Sequence, residues 1–126
     1  MTLNDPEVVA EVREAFDRYE AALLANDVAV LDAFFLDRED TVRYGVSEVQ
    51  YGMGEIRAFR AVQRPFERTL DQLEIVAYGK DVATASTLFY RPDFKGQVGR
   101  QQQTWLRTGD GWKVAAAHVS MMPADR

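Results

Sequence analysis

The sequence contains no cysteine and a single histidine, His118, and these shortages exclude several kinds of chemistry. Without cysteine the chain forms no disulfide, no thiolate zinc site and no cysteine nucleophile. Because no carboxylate pair at ligand spacing lies on an evident inward face, we also predict no metal site. A serine–histidine–acid triad lacks its nucleophile motif, and no phosphate-loop lysine follows the glycines at 52–54.

Long apolar runs and an excess of positive charge are also missing. No run approaches the roughly 18 residues of a membrane span, and the N-terminal segment has no signal-peptide pattern. We therefore expect a cytoplasmic protein without a membrane partner. The net charge of −5 and the pI near 4.9 disfavour nucleic acid as a partner. The length of 126 residues predicts one domain over residues 1–126.

The positive charges that are present come mostly from arginine. The chain has twelve arginines and three lysines. A planar guanidinium binds a carboxylate through two parallel hydrogen bonds, whereas lysine serves surface solubility equally well. Because several arginines interrupt apolar patterns, we predict a small anionic ligand rather than a polyanion.

Helical periodicity runs through the first half of the chain. Apolar residues three and four positions apart predict a first helix with Tyr19 on its buried face. Residues 30–35 carry a short second helix. Residues 55–64 form a third helix, in which Arg60 lies one step along from the core-facing side chains.

An extended segment at residues 40–51 separates the second and third helices. Period 2 in this segment directs Arg43 to the face opposite its two neighbours, Val42 and Tyr44. Three arginines near and after the third helix have the pattern of solvated surface charge: Arg57, Arg64 and Arg68.

Strand periodicity replaces helical periodicity after residue 69. It predicts four long strands joined by hairpin turns, at residues 70–78, 82–92, 98–108 and 111–121. Three helices followed by such a meander predict an α+β fold, in which the helices pack inside a strongly curved antiparallel sheet. The resulting cone has one open mouth, where a pocket forms.

Polar side chains occupy both faces of the strand at residues 98–105. Arg100 and Gln102 share one face, and Gln101, Gln103 and Trp105 share the other. We expect Arg100 and Gln102 to face the pocket. We expect Trp105, with its neighbours Gln101 and Gln103, to lie on the outer face of the sheet, where a homodimer covers them.

The last strand adds a further candidate, since simple alternation groups His118 with the apolar Trp112 and Val114. The expected pocket then contains Tyr19 and Arg43, with His118 or Arg100 facing them. Alternatives remain open: Tyr19 as an ordinary core tyrosine, His118 as a structural histidine, and the polar strand face as solvated surface. Arginine, glutamine and tyrosine together match the donors and acceptors of carboxylates and ureides.

Several strings of the sequence resemble a small bacterial family of the DUF3225 type. They span residues 5–120, and the most specific are GRQQQTW and AAHVS; the others are YEAALLAND, VRYGVSE and IRAFRAVQR. This family has the cone-shaped fold of nuclear transport factor 2 and the SnoaL-like cyclases. It includes the oxalurate-catabolism protein and a decarboxylating amidohydrolase of cyanuric acid catabolism. One departure is Gln102, where the family pattern has a serine.

The resemblance implies a cofactor-independent enzyme that decarboxylates 1,3-dicarboxyurea or a similar ureide. Its catalytic tyrosine and arginine match Tyr19 and Arg43 of this chain. We assign substrate binding to a second set of residues: Arg100, Gln102, His118 and Arg60. Loss of carbon dioxide from an N-carboxylated urea leaves charge that the adjacent carbonyl delocalises, so no cofactor is required.

Two other functions are compatible with the sequence. The first is an acid–base isomerase or cyclase on the same fold, which needs a carboxylate or histidine base in an apolar pocket. The second is a non-catalytic protein that binds a ureide or serves as an accessory partner of an amidase. An inward surface of arginine and glutamine suits binding as well as catalysis.

Overall fold

The computed structural model describes residues 1–124 as three helices and six strands. The helices are α1 (Pro6–Ala25), α2 (Val28–Phe34) and α3 (Met53–Val62). The strands are β1 (Val42–Tyr44), β2 (Val49–Tyr51), β3 (Thr69–Tyr78), β4 (Val82–Tyr90), β5 (Gln97–Thr108) and β6 (Gly111–Pro123). The predicted α+β order of elements is confirmed.

Helix α1 is delimited by residues with the expected capping chemistry. The Asp5 side chain accepts a hydrogen bond from the backbone N–H of Glu7 at 3.0 Å, and Pro6 begins the helix. Asn26 ends the helix in the left-handed conformation, with φ of 52°. The side of the helix between these caps that contains Phe16 and Tyr19 is buried.

The strands form one sheet in the order β2-β1-β6-β5-β4-β3. The predicted meander β3 to β6 is antiparallel throughout, and β1 and β2 form a short antiparallel hairpin. The pairing of β1 with β6 is parallel, which the expectation of a wholly antiparallel sheet did not include. The parallel pairing forms because the β1–β2 hairpin adds to the sheet beside β6. Sequence periodicity could not predict it, because periodicity carries no information on strand order.

The concave face of the sheet packs against the three helices. Trp105 is fully buried there, and its ring makes edge-on contacts with Tyr19 and Phe34 at centroid distances of 6.2 and 5.9 Å. The expectation that Trp105, Gln101 and Gln103 lie on the outer face was therefore wrong. Period 2 separates the two faces of β5 correctly, but the burial of a large aromatic ring against the helices decides which face is concave.

A bulge in β6 reverses the direction of the strand's side chains. Thr104 pairs with Ala116, whereas the next residue, Trp105, pairs with Val114, so Ala115 is the extra residue. Before the bulge Val114 faces the core, and after it Ala117 does. The bulge therefore turns His118 to the outer face.

Among residues 1–124, no helix is both long enough and apolar enough to cross a membrane.

Candidate functional site

A cavity of about 560 Å³ lies between the concave face of the sheet and helices α1 and α3. It is strongly basic, because five arginines but only two carboxylates line it. The arginines are Arg43, Arg60, Arg64, Arg68 and Arg91, and the carboxylates are Glu48 and Asp93. The excess of guanidinium groups fits an anionic ligand.

One row of paired residues crosses the sheet at this cavity, and Arg43, Ala117 and Gln103 of this row line the cavity. Gln50 on β2 pairs with Arg43 on β1, Arg43 pairs with Ala117 on β6, and Ala117 pairs with Gln103 on β5. With neighbouring strands about 4.8 Å apart, Arg43 and Gln103 are separated by roughly 10 Å. The small side chain of Ala117 leaves the space between them open.

Tyr19 and Arg60 meet above this row. The Arg60 Nη2 atom donates a hydrogen bond to the Tyr19 hydroxyl at 2.9 Å, and both residues are buried. Since the hydroxyl accepts this bond, its own proton remains available to a second acceptor.

The positive charge of Arg60 is buried without a matching carboxylate. Its exposure is 1%, and it forms no ion pair within the described residues. Nη1 donates to Gln63, the guanidinium lies 5.5 Å from the Phe35 ring centroid, and Nε has no partner. Burial raises the pKa of the Asp32 carboxyl, and the charges of Arg60 and Arg57 act in the opposite direction.

Arg43, by contrast, has protein partners. Its Nη1 atom donates to Glu48 Oε1 and to Gln50 Oε1, both at 2.8 Å, and its guanidinium stacks over Phe59 at 4.5 Å. Burial raises the pKa of Glu48, but the hydrogen bond and charge of Arg43 outweigh burial, so the pKa lies below its ordinary value. Arg43 is therefore held in place by groups that leave part of its fork free.

Two glutamines of the cavity wall, Gln101 and Gln103, and a third beside Arg43, Gln50, are oriented by donor groups of the protein. The side-chain oxygens of Gln50, Gln101 and Gln103 accept from Arg43, Arg68 and Trp105, respectively. Guanidinium and indole groups only donate, so each contact must involve the amide oxygen. The three amide nitrogens donate to no protein group in residues 1–124. Those of Gln101 and Gln103, which line the cavity, add donors to it.

Arg68 belongs to this site, contrary to the expectation of a solvated surface charge. It forms a two-pronged ion pair with Glu20, at 2.9 and 2.6 Å, and it stacks over Phe89 at 4.8 Å. Arg68 lies after the end of α3, so helical periodicity gives no indication that its side chain is buried. Its partner lies 48 positions earlier in the chain, on α1, so local periodicity could not identify the contact.

The structure places three of the sequence-predicted residues outside the cavity. Arg100, Gln102 and His118 are exposed on the outer face of the sheet. There Arg100 Nε donates to Ser120 Oγ at 3.1 Å, and Gln102 Nε2 donates to Ser86 Oγ at 3.0 Å. Their expected position in the mouth was wrong, because the face of β5 that carries Trp105 is concave and the bulge turns His118 outward.

Tyr19, Arg43 and Arg60 do line one cavity, while Gln101, Gln103 and Arg68 are residues that sequence reasoning missed. A signal for the two glutamines exists, since they share a strand face with Trp105, and a tryptophan is a better marker of the core side than an arginine. A larger groove of about 690 Å³ lies beyond Arg68, but it lacks the Tyr19–Arg60 contact. The described residues contain no cluster of three potential metal ligands.

Comparison with solved structures identifies near relatives over almost the whole chain. A DUF3225-family protein of unknown function from Pectobacterium atrosepticum is 49% identical, with a TM-score of 0.92 and coverage of 95% of this chain and 94% of that one. A cystatin-like fold protein from Burkholderia xenovorans is 43% identical, with a TM-score of 0.96 and 99% coverage of both chains.

A more distant structure supports the fold alone. An NTF2-like protein of unknown function from Pseudomonas putida is 22% identical, with a TM-score of 0.76 and coverage of 92% of this chain and 87% of that one. The cone of helices and curled sheet is thus the NTF2-like fold. Comparison with curated protein sequences finds no match. The sequence profile of the AtzH-like family matches residues 1–125, and the chain therefore belongs to the AtzH-like family.

Proposed function

We propose that the protein is a cofactor-independent enzyme that decarboxylates a carboxylated urea such as 1,3-dicarboxyurea. The observation that carries this proposal is the contact between Tyr19 and Arg60. A buried guanidinium without an ion-paired carboxylate favours the binding of an anion, and the hydroxyl that it contacts can transfer a proton. Arg43 on the same cavity wall supplies a second cationic group.

The proposed reaction is a decarboxylation in which these groups stabilise charge and supply a proton. The bond between a carboxylate carbon and the urea nitrogen breaks, carbon dioxide leaves, and the electron pair remains on nitrogen. The adjacent carbonyl delocalises this charge, and the guanidinium and amide donors of the wall stabilise the developing oxyanion. Tyr19 then gives its proton to the nitrogen and regains one from solvent. The products are carbon dioxide and a urea that has lost one of its carboxylates; 1,3-dicarboxyurea becomes a monocarboxylated urea.

The cavity offers poor support for an acid–base isomerase. Such an enzyme needs a carboxylate with a raised pKa in an apolar environment. The hydrogen bonds from Arg43 and Arg91 instead lower the pKa of Glu48 and Asp93, the two carboxylates that line the cavity. Both are therefore weak bases. The non-catalytic alternative, a ureide-binding accessory of an amidase, uses the same donors and is distinguished by experiment.

The direct test is to incubate the purified protein with 1,3-dicarboxyurea and to follow carbon dioxide release. We expect Tyr19→Phe and Arg43→Lys each to lower kcat by at least ~10²-fold, the usual scale for a proton donor or an oxyanion partner. Tyr19→Phe retains the buried ring, and Arg43→Lys retains the charge but loses the planar fork.

Matched controls come from the outer face of the sheet. Tyr44→Phe and Arg100→Lys make the same chemical changes at exposed positions and should leave turnover unchanged. Full activity in folded Tyr19→Phe would remove that hydroxyl from the mechanism. Tight ureide binding without any carbon dioxide release would establish the accessory function instead.

A further inference from the structure

A buried cluster around Arg68 connects three elements next to the cavity. Arg68 precedes β3, its partner Glu20 lies on α1, and its second partner Gln101 lies on β5. The side chain of Arg68 is 3% exposed and that of Glu20 is 13% exposed. Phe89 closes the cluster from β4, with its ring 4.8 Å from the guanidinium. All three guanidinium nitrogens of Arg68 thus have an acceptor.

This cluster determines the orientation of the Gln101 amide. Arg68 Nη1 donates to Gln101 Oε1 at 3.0 Å, and a guanidinium cannot accept a bond in return. The amide therefore cannot flip without losing this bond. Its Nε2 atom is buried and has no hydrogen-bond partner, although Gln101 lines the cavity. A buried donor without an acceptor is costly unless a ligand supplies one.

Gln101 lies at a distance from Arg43 that suits a ligand with two acceptor ends. Gln103 is in the row that contains Arg43, and Gln101 is two residues further along the same face of β5. Two strand spacings and one two-residue step separate the Cα atoms of Arg43 and Gln101 by roughly 12 Å. Both side chains line the same cavity, so a ligand that contacts both must be elongated and have an acceptor at each end.

We propose that Gln101 is a ligand-binding residue, held in position by Glu20 and Arg68, that recognises a second anionic or carbonyl end of the ligand. The Tyr19, Arg43 and Arg60 groups bind the reacting end, and Gln101 binds the other. The cavity thereby selects doubly ended ligands over simple monocarboxylates. This inference rests on the proposed function and specifies the substrate class of the same cavity.

The test uses two unreactive probes, glutarate with two carboxylates and butyrate with one. Isothermal calorimetry should show that the wild-type protein binds glutarate at least ~10-fold tighter than butyrate, the scale of a hydrogen bond to a charged group. Gln101→Met keeps the side-chain length and removes the donor. It should weaken glutarate binding by ~10-fold and leave butyrate binding unchanged.

The neighbouring glutamine provides the matched control. Gln102→Met makes the same change on the outer face of the same strand and should alter neither affinity. Arg68→Lys and Glu20→Gln test positioning, and both should reduce the preference for glutarate over butyrate. A purely structural role for the pair would lower the melting temperature without changing this preference.

Two results overturn the inference: a wild-type protein that binds glutarate no tighter than butyrate, or an unchanged glutarate affinity in Gln101→Met. Neither result depends on turnover. Selective glutarate binding that Gln101→Met abolishes, in a protein that releases no carbon dioxide from dicarboxyurea, would refute the proposed reaction and keep this inference. Carbon dioxide release from dicarboxyurea, together with unchanged glutarate binding in Gln101→Met, would support the proposed reaction and refute this inference.

Discussion

Arg43 and Arg60 carry the same charge in one cavity, but the protein balances these charges differently. Arg43 is neutralised by Glu48, whereas Arg60 has only neutral hydrogen-bond partners, Gln63 and Tyr19. Breaking a buried ion pair leaves an uncompensated charge, and such a charge is strongly destabilising. Arg60 is already in that state, so an anionic ligand should stabilise the folded protein chiefly through Arg60.

The Arg43–Glu48 pair makes the stability of the protein depend on pH. The pKa of Glu48 in the folded protein is below its ordinary value of 4.5, so ionised Glu48 favours folding. This contribution is complete above pH 4.5 and disappears as the pH falls through the lower folded pKa. We expect Glu48→Gln to be less stable than the wild type at pH 7 and equally stable at the acid end.

Urea unfolding of both proteins between pH 3 and pH 7 measures this convergence. Asp40→Asn is the control, because Asp40 pairs with Arg38 on the surface, where the two side chains are 69% and 61% exposed. Solvent screens that pair, so its removal should change stability less. A stability difference between Glu48→Gln and the wild type that stays constant with pH would contradict the assignment.

At the scale of the element, strand β5 depends on a glycine that faces an aromatic ring. Gly99 pairs with Phe89 on β4, and a Cβ atom at position 99 would lie 2.1 Å from the Phe89 ring. The ring therefore occupies the space that a side chain would take. Because Phe89 also stacks over Arg68, this close approach supports the Glu20–Arg68–Gln101 cluster.

We expect Gly99→Ala to destabilise the protein by roughly 1–3 kcal/mol, the usual cost of overpacking a buried site. Displacement of Phe89 should also disturb Arg68 and weaken glutarate binding. Denaturant unfolding and calorimetry measure the two effects.

Gly54→Ala is the control, since a Cβ atom there meets nothing within 4 Å and the position lies in helix α3. It should be neutral or stabilising. Equal stability of Gly99→Ala and the wild type would show that the ring moves without cost.

At the scale of the whole molecule, Trp105 joins the sheet to the helices. Its exposure is 0%, its indole N–H donates to Gln103 at 3.1 Å, and its ring contacts side chains of α1 and α2. It belongs to the core within one chain and is not available to a second subunit. The homodimer stays a prediction, now without Trp105 as a contact residue.

Trp105→Ala should therefore cost roughly 3–5 kcal/mol, the range for removing a fully buried large aromatic side chain. The loss should be the same at low and high protein concentration, because the contacts lie within one chain. Trp105→Phe keeps an aromatic ring and should lower the free energy of unfolding by less. If the alanine variant does not fold, the phenylalanine variant still allows the concentration dependence to be measured. A loss that appears only at concentrations where the protein associates would return Trp105 to a subunit interface.

Much of this architecture follows from local pattern. Helical spacing places Tyr19 on the buried side of α1, and period 2 separates Gln101, Gln103 and Trp105 from Arg100 and Gln102. The chemical types of the cavity residues are likewise readable, since arginine and glutamine favour an anionic ligand with carbonyl groups. These properties depend on residues a few positions apart, which the chain keeps close in any fold.

Tertiary structure decided which of those faces lines the cavity. Periodicity leaves the two sides of β5 equivalent until the helices cover one of them, and the burial of Trp105 breaks that symmetry. One extra residue at Ala115 reverses the side-chain direction of β6 and moves His118 outward, a change that no alternation rule contains. Arg68 is buried because Glu20, 48 residues away, folds back against it. Such contacts depend on how the elements pack, and that packing is a property of the whole chain.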